Sequence, residues 1–195
     1  MVREDVQEYN TKNPVARLCI QNFLKSVITL VKNINIHNII DIGCGSGFVI
    51  HTIQDAAAAS VQLHGLDNDE ESLTFARKLN PGAFFSKGDI YHLDIADSSY
   101  DLVLCLEVLE HLADYRKALS EIKRMSRAYC LISVPQEPYF RITELLRGKY
   151  LSRFGNHPGH LNNWSSKAFR RLLEEYFTIK SFKTPFPWQL ALCEV

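Results

Sequence analysis

The stretch 39-IIDIGCGSGFVI-50 constrains the fold of this chain more than any other. Its apolar, β-branched start joins His37 and Asn38 in a short buried strand, 37-HNIIDI-42. Gly43, Gly45 and Gly47 follow, each separated by one small residue, and a helical pattern begins at Phe48 and runs to Ala59. The rhythm then repeats. VQLHGLD (61–67) reads as a strand, DEESLTFARKL as a helix capped by Asn68 or Asp69, and AFFSKGD (83–89) as a strand and turn. YDLVLCLE (100–107), ADYRKALSEIKRM and AYCLISVP (128–135) give strand, amphipathic helix, strand. This alternation predicts an α/β fold, a mostly parallel sheet with helices on both faces. After a loop-rich stretch, 165-SSKAFRRLLEEYF-177 is a capped helix, and TIKSFKTP and PWQLALCEV form a closing antiparallel hairpin.

Ahead of the first strand, residues 15–33 place apolar side chains at helical spacing behind Pro14. The organisation expected is an N-terminal helical cap over 1–36 and one domain over 37–195. The 22 basic and 22 acidic residues cancel, which argues against a dedicated nucleic-acid binder. Five cysteines without CxxC spacing indicate reduced thiols in a cytoplasmic protein. The polar start MVREDVQEYNTK is not a signal peptide, and no apolar run approaches the roughly 20 residues of a membrane span.

A glycine turn between strand and helix is a cofactor cradle: backbone N–H groups and the positive helix end face the ligand. The dinucleotide fingerprint is G-x-G-x-x-G, and its third glycine position here holds Phe48. Asp41, two residues before the glycines, would face a pyrophosphate unfavourably. It suits a cofactor with positive charge and no phosphate, such as S-adenosylmethionine. Asp67 ends the second strand, where a carboxylate accepts ribose hydroxyl hydrogen bonds, and Asp89 follows the third.

These residues, in 41-DIGCGSG-47, 65-GLDNDEESLTFARK-78, 88-GDI-90 and 100-YDLVLCLEVLEHL-112, resemble the class I S-adenosylmethionine-dependent methyltransferases, in particular the methyltransferase type 11 and ubiquinone-pathway O-methyltransferase group. The resemblance implies a Rossmann-like, doubly wound, seven-stranded sheet whose last strand is antiparallel. It places Asp41, Gly43, Cys44, Gly45 and Gly47 at the methionine moiety. Asp67 and Asn68 go to the ribose, Asp89 and Ile90 to the adenine, and Leu106 beside the sulfonium.

The acceptor side rests on two segments. Glu107, Glu110 and His111 form E-x-x-E-H just past the fourth strand, and His160 precedes Trp164 in an H-x-x-x-W-S arrangement. In ubiquinone-pathway O-methyltransferases and in the small-RNA 2′-O-methyltransferases, E-x-x-E-H holds magnesium. Glu107, Glu110, His111 and His160 are the matching candidate ligands here. Many family members carry the motif without metal, and then His111 or His160 serves as base or acceptor-orienting group. The segment 136–164 takes the place of the family's substrate lid. Tyr139, Arg141, His157 and Trp164 are its candidate substrate contacts. The leading expectation is methyl transfer to oxygen of a small metabolite, lipid or glycan precursor, by a monomer or homodimer. The alternatives are a metal-dependent RNA 2′-O-methyltransferase and a non-catalytic partner subunit.

Overall fold

The computed structural model describes residues 11–56 and 61–195. Residues 57–59 of the expected second helix, and residues 1–10 of the expected cap, lie outside the described residues.

Helix α1 (Pro14–Lys32) opens the described chain. Asn13 caps it, accepting from the N–H groups of Val15 (2.9 Å) and Ala16 (3.2 Å), while Pro14 occupies the first turn, where its missing N–H costs nothing. This 19-residue helix reaches a mean hydropathy of 1.2, so by length and composition it could cross a membrane. The average passes because Arg17 and Lys25 are diluted among apolar residues, although no continuous apolar run exists. Here its stripe of Ile20, Phe23, Val27, Leu30 and Val31 is buried in the core.

The remaining elements alternate. They are β1 (Asn38–Ile42), α2 (Phe48–Ala56), β2 (Gln62–Asp67), α3 (Glu70–Leu79), β3 (Phe84–Lys87) and β4 (Tyr100–Leu106). A single 3-10 turn, Leu109–His111, precedes α4 (Tyr115–Met125), β5 (Ser126–Pro135) and α5 (Tyr139–Leu146). A second 3-10 turn (Leu151–Arg153), α6 (Ser166–Glu174), β6 (Thr178–Lys183) and β7 (Trp188–Glu194) complete the chain. Asp69 caps α3 through the Ser72 N–H (3.0 Å), and Asn68 is exposed, which settles the choice between the two.

The seven strands form one sheet in the order β3-β2-β1-β4-β5-β7-β6. All neighbours are parallel except β7, which runs antiparallel to both β5 and β6. The closing hairpin therefore does not simply extend the sheet; its second strand inserts between β5 and β6. The fold is the Rossmann-like doubly wound sheet expected. Strand β4 shows how such a sheet feeds two layers. Leu102, Leu104 and Leu106 enter the core under α1 and α2, and Val103 and Cys105 enter the core under α4 and α6. A continuous apolar run is thus divided by the period of two along a strand.

Strand order reverses between β1 and β4, and their carboxyl ends open the crevice typical of such a switch point. The glycine loop leaves β1 on one side of it, and 107-EVLEH-111 leaves β4 on the other.

Candidate functional site

The loop after β1 is built to be backbone. Gly43, Gly45 and Gly47 all have positive φ (74°, 51° and 77°). The N–H groups of Gly43 and Cys44 both donate to the Leu66 carbonyl, at 2.7 and 3.0 Å, which pins the turn to the end of β2. Gly47 has a second duty: its carbonyl accepts from Asn80 Nδ2 (3.1 Å), and a Cβ there would stand 2.9 Å from Ala76 Cβ. It therefore joins α2 to α3.

Under the loop, Asp41 is 2% exposed. Burial, and then the nearby Asp67 carboxylate, push its pKa up to about 7. A carboxylate so placed favours a cationic neighbour. Asp67 accepts from the N–H of Gly45 (2.8 Å) and of Asp69 (2.9 Å), so it braces the loop while half-exposed.

These groups open into a cavity of about 540 Å³, an ordinary size for a small-ligand site. Asp41, Gly43, Cys44, Gly45 and Leu106 line it, together with Glu107, Glu110, His111, His157 and His160. The sequence-predicted residues thus converge from three stretches of the chain, 41–45, 106–111 and 157–160. Others sit elsewhere. Gly47 lies behind the loop, and Asp67 and the exposed Asn68 lie beside it. Asp89 is exposed and accepts from the Tyr91 N–H (3.0 Å), while Ile90 is buried under α4.

At the far end, Glu107 has a φ of 59°, a left-handed backbone rare for a residue with a side chain. Ser133 holds it there, donating from Oγ to Glu107 Oε1 (2.7 Å) and accepting from its N–H. The next turn carries Glu110, 1% exposed and raised to about 8 by burial. Its Oε2 has no hydrogen-bond partner among the described residues. His111 is exposed, with Nδ1 2.9 Å from the Gly159 carbonyl. His160 lies 5.0 Å from the His111 ring and 4.8 Å from the His157 ring. Burial, with His111 and His157 adding to it, lowers its pKa to about 3, so its imidazole is neutral. Its Nδ1 is also buried without a partner among the described residues. Ligand atoms of Glu110, His111 and His160 all fall within 4.8 Å of one another. Two of the three, Glu110 and His160, offer a buried oxygen and a buried nitrogen without a partner among the described residues, and oxygen and nitrogen donors at that spacing fit a divalent cation. Glu107, bonded to Ser133, stands outside the cluster.

The lid supplies what single-residue reading of the sequence missed. Phe140, Glu144 and Arg147 line the cavity, spaced as one face of α5. Tyr139 and Arg141, chosen as substrate contacts, belong to other faces. Tyr139 is exposed beside Phe186 (rings 6.2 Å apart), and Arg141 Nε donates to the Phe154 carbonyl (3.3 Å). Trp164 is buried between Tyr115 and Phe169, while His157 does line the cavity. Thr11, Ala16 and Phe23 bring α1 and the residues before it to the opposite wall. Of these only Phe23 had a signal in the sequence, and that was core periodicity.

Comparison with known proteins agrees with this architecture. A family model described as a methyltransferase domain matches residues 40–131. The demethylmenaquinone methyltransferase of Thermotoga maritima is 26% identical over 165 residues, covering 83% of this chain and 70% of that protein. The ubiquinone biosynthesis O-methyltransferase of Erwinia tasmaniensis is 27% identical over 146 residues, covering 65% and 58%. Against other curated relatives the chain spans only 26% and 40% of their lengths. Among solved structures, the magnesium protoporphyrin IX methyltransferase of Synechocystis, with bound SAH, superposes with a TM-score of 0.70 at 21% identity, covering 93% of this chain and 87% of that one. The matched domain, the relatives, the strand order with its inserted β7 and the glycine loop over Asp41 all point the same way: the chain is similar to the class I S-adenosylmethionine-dependent methyltransferases.

Proposed function

We propose that this protein is a cytoplasmic enzyme that transfers the methyl group of S-adenosylmethionine to oxygen on a small amphiphilic acceptor, a metabolite, lipid or glycan precursor. The observation that carries this reading is the pairing of two ends in one cavity. Asp41 and the glycine cradle form one end, and the Glu110–His111–His160 cluster forms the other.

The cofactor supplies an activated methyl on a sulfonium, whose leaving group is a neutral thioether needing no acid. The residues therefore have positioning to do. Asp41 faces the positive methionine end, and the backbone of Gly43–Gly45 lets it approach. Asp67, whose two oxygens already accept N–H groups from the loop, is oriented for the ribose hydroxyls. Leu106, which lines the cavity between these groups, would border the cofactor's methyl group. Alignment of this kind can be worth several kcal/mol of barrier, up to about 10. Across the cavity, Glu110 and His160 orient an acceptor hydroxyl, and His111 is the group to take up its proton. An acceptor containing a ring or chain would pack against Phe140 and Tyr150, with Arg147 and Lys149 near any acidic group. Relatives named for demethylmenaquinone and ubiquinone biosynthesis support an amphiphilic acceptor.

Adenosylmethionine binding by calorimetry, with an Asp41→Ala comparison at matched thermal stability, tests the donor half. Absence of binding by the wild type refutes it. Methyl-tritiated cofactor incubated with lipid, metabolite and RNA extracts tests the acceptor half. Label entering only RNA refutes the amphiphilic class.

The Glu110–His111–His160 spacing favours a second reading of the acceptor end, in which these residues hold a magnesium ion that lowers the pKa of the acceptor hydroxyl. Activity unchanged after chelation removes it.

A further inference from the structure

The lid and α1 carry exposed apolar side chains that do not line the cavity. Phe140 and Glu144 of α5, with Arg147 just past its end, line the cavity, yet Ile142 and Leu146 of the same helix are 48% and 85% exposed. Beyond the helix, Leu151 is 64% and Phe154 75% exposed. On α1, Ala16 lines the cavity, and its neighbours Val15 and Leu18 are 67% and 57% exposed. None of these six lines the cavity, and each lies within four residues of one that does. Scattered exposed apolar residues need no explanation, but four in one short segment, Ile142 to Phe154, do.

Cations accompany them. Residues 139–155 contain Arg141, Arg147, Lys149 and Arg153 against one acid, Glu144. That acid is buried, paired with Arg147 (2.6 Å) and Lys149 (4.0 Å). The chain as a whole has a net charge of zero, so the positive excess of the lid is local. Aliphatic tips on a cationic base suit the boundary between headgroups and acyl chains of an anionic bilayer. Single-stranded nucleic acid would use the cations and stack on rings, but it would leave the ringless Ile142, Leu146 and Leu151 uncovered.

We propose that the lid docks peripherally on an anionic lipid bilayer, which seats its aliphatic side chains and admits an amphiphilic acceptor sideways into the cavity. The proposal rests on the amphiphilic-acceptor part of the reading above, not on the donor.

Flotation of the full chain with phosphatidylcholine vesicles, with and without about one third phosphatidylglycerol, tests it. The wild type should float with the anionic vesicles only, and salt should release it. Leu146→Glu/Leu151→Glu, which changes no cavity-lining residue, should bind at least about tenfold more weakly. Its adenosylmethionine affinity, measured in parallel, should stay unchanged, which separates failed docking from a failed donor site. If that variant loses its thermal transition, Arg153→Glu carries the test and should weaken anionic-vesicle binding about fivefold. Several results overturn the proposal: no flotation of the wild type, equal flotation with neutral vesicles, or variants that float as well as the wild type. Self-association abolished by the double variant, or a salt-sensitive RNA shift, each without vesicle binding, does so as well.

Discussion

At Gly43 two independent constraints meet in one residue. Its φ is +74°, and a Cβ there would stand 2.4 Å from Val108 Cγ2. Left-handed backbone costs a residue with a side chain about 1–2 kcal/mol, and overpacking adds about 1–3 kcal/mol. Gly43→Ala should therefore lose roughly 2–5 kcal/mol in urea unfolding. The two costs can be separated. Val108→Ala removes the obstructing methyl groups but not the backbone strain, so Gly43→Ala should cost at least about 1 kcal/mol less in that background. Additive losses would mean that the loop relaxes away from Val108. This level of the site was legible in sequence because the glycine loop is local: strand, turn and helix follow one another, and Asp41 sits at a fixed offset in them. Asp67 was legible as a site position, yet its bond to the Gly45 N–H joins residues 22 apart and comes only from the pairing of β1 with β2.

The lid shows what an element adds. As a segment it was recognisable by composition, but its residues could not be sorted without a helix phase. Once α5 spans Tyr139–Leu146, the same sequence divides into a cavity face of Phe140 and Glu144 and an outer face of Ile142 and Leu146. Tyr139 and Arg141 were chosen by residue type and fall off the cavity face for that reason. The return of the lid is latched by one side chain. Asn162 Nδ2 donates to the carbonyls of Leu112 (2.7 Å) and Leu109 (3.3 Å), and the N–H groups of Leu161 and Asn162 both donate to the Glu110 carbonyl. These bonds hold His160 over the E-x-x-E-H turn, 5.0 Å from the His111 ring. Asn162→Ala removes two bonds and leaves carbonyls to be resatisfied, a loss of about 1–3 kcal/mol. We expect faster amide exchange at Leu161 and Asn162 and a lower methyl-transfer rate, with adenosylmethionine affinity within about twofold of wild type. Unaltered exchange at those amides would show that Asn162 does not latch the lid.

The whole molecule feels the cost of keeping Asp41 ready for a cation. Its carboxyl is 2% exposed and titrates near 7, against 3.8 for an unburied aspartate. Between those two values the folded chain binds a proton that the unfolded chain has released, so folding stability falls as pH rises. The contribution is fully present below about pH 4 and lost above about pH 7, a difference on the order of a few kcal/mol. Glu110, raised to about 8 by its own burial, adds a decline of the same sign that extends slightly higher. Alkaline weakening of this kind is the reverse of the usual behaviour of paired surface carboxylates. It follows from placing acids at the carboxyl edge of a buried parallel sheet. Asp41→Asn is neutral at every pH and similar in shape. Its melting temperature should exceed the wild type's at pH 8, and the gap should narrow steadily towards pH 5. The same variant should bind adenosylmethionine weakly at both pH values, because it has lost the charge that faces the methionine end. Saturating adenosylmethionine should raise the wild type's melting temperature more at pH 8 than at pH 5, since the positive ligand favours the ionised carboxylate. A wild type and Asp41→Asn pair whose melting curves run parallel across this range would show that Asp41 stays charged without its ligand. The readiness inferred from its burial would then be misplaced.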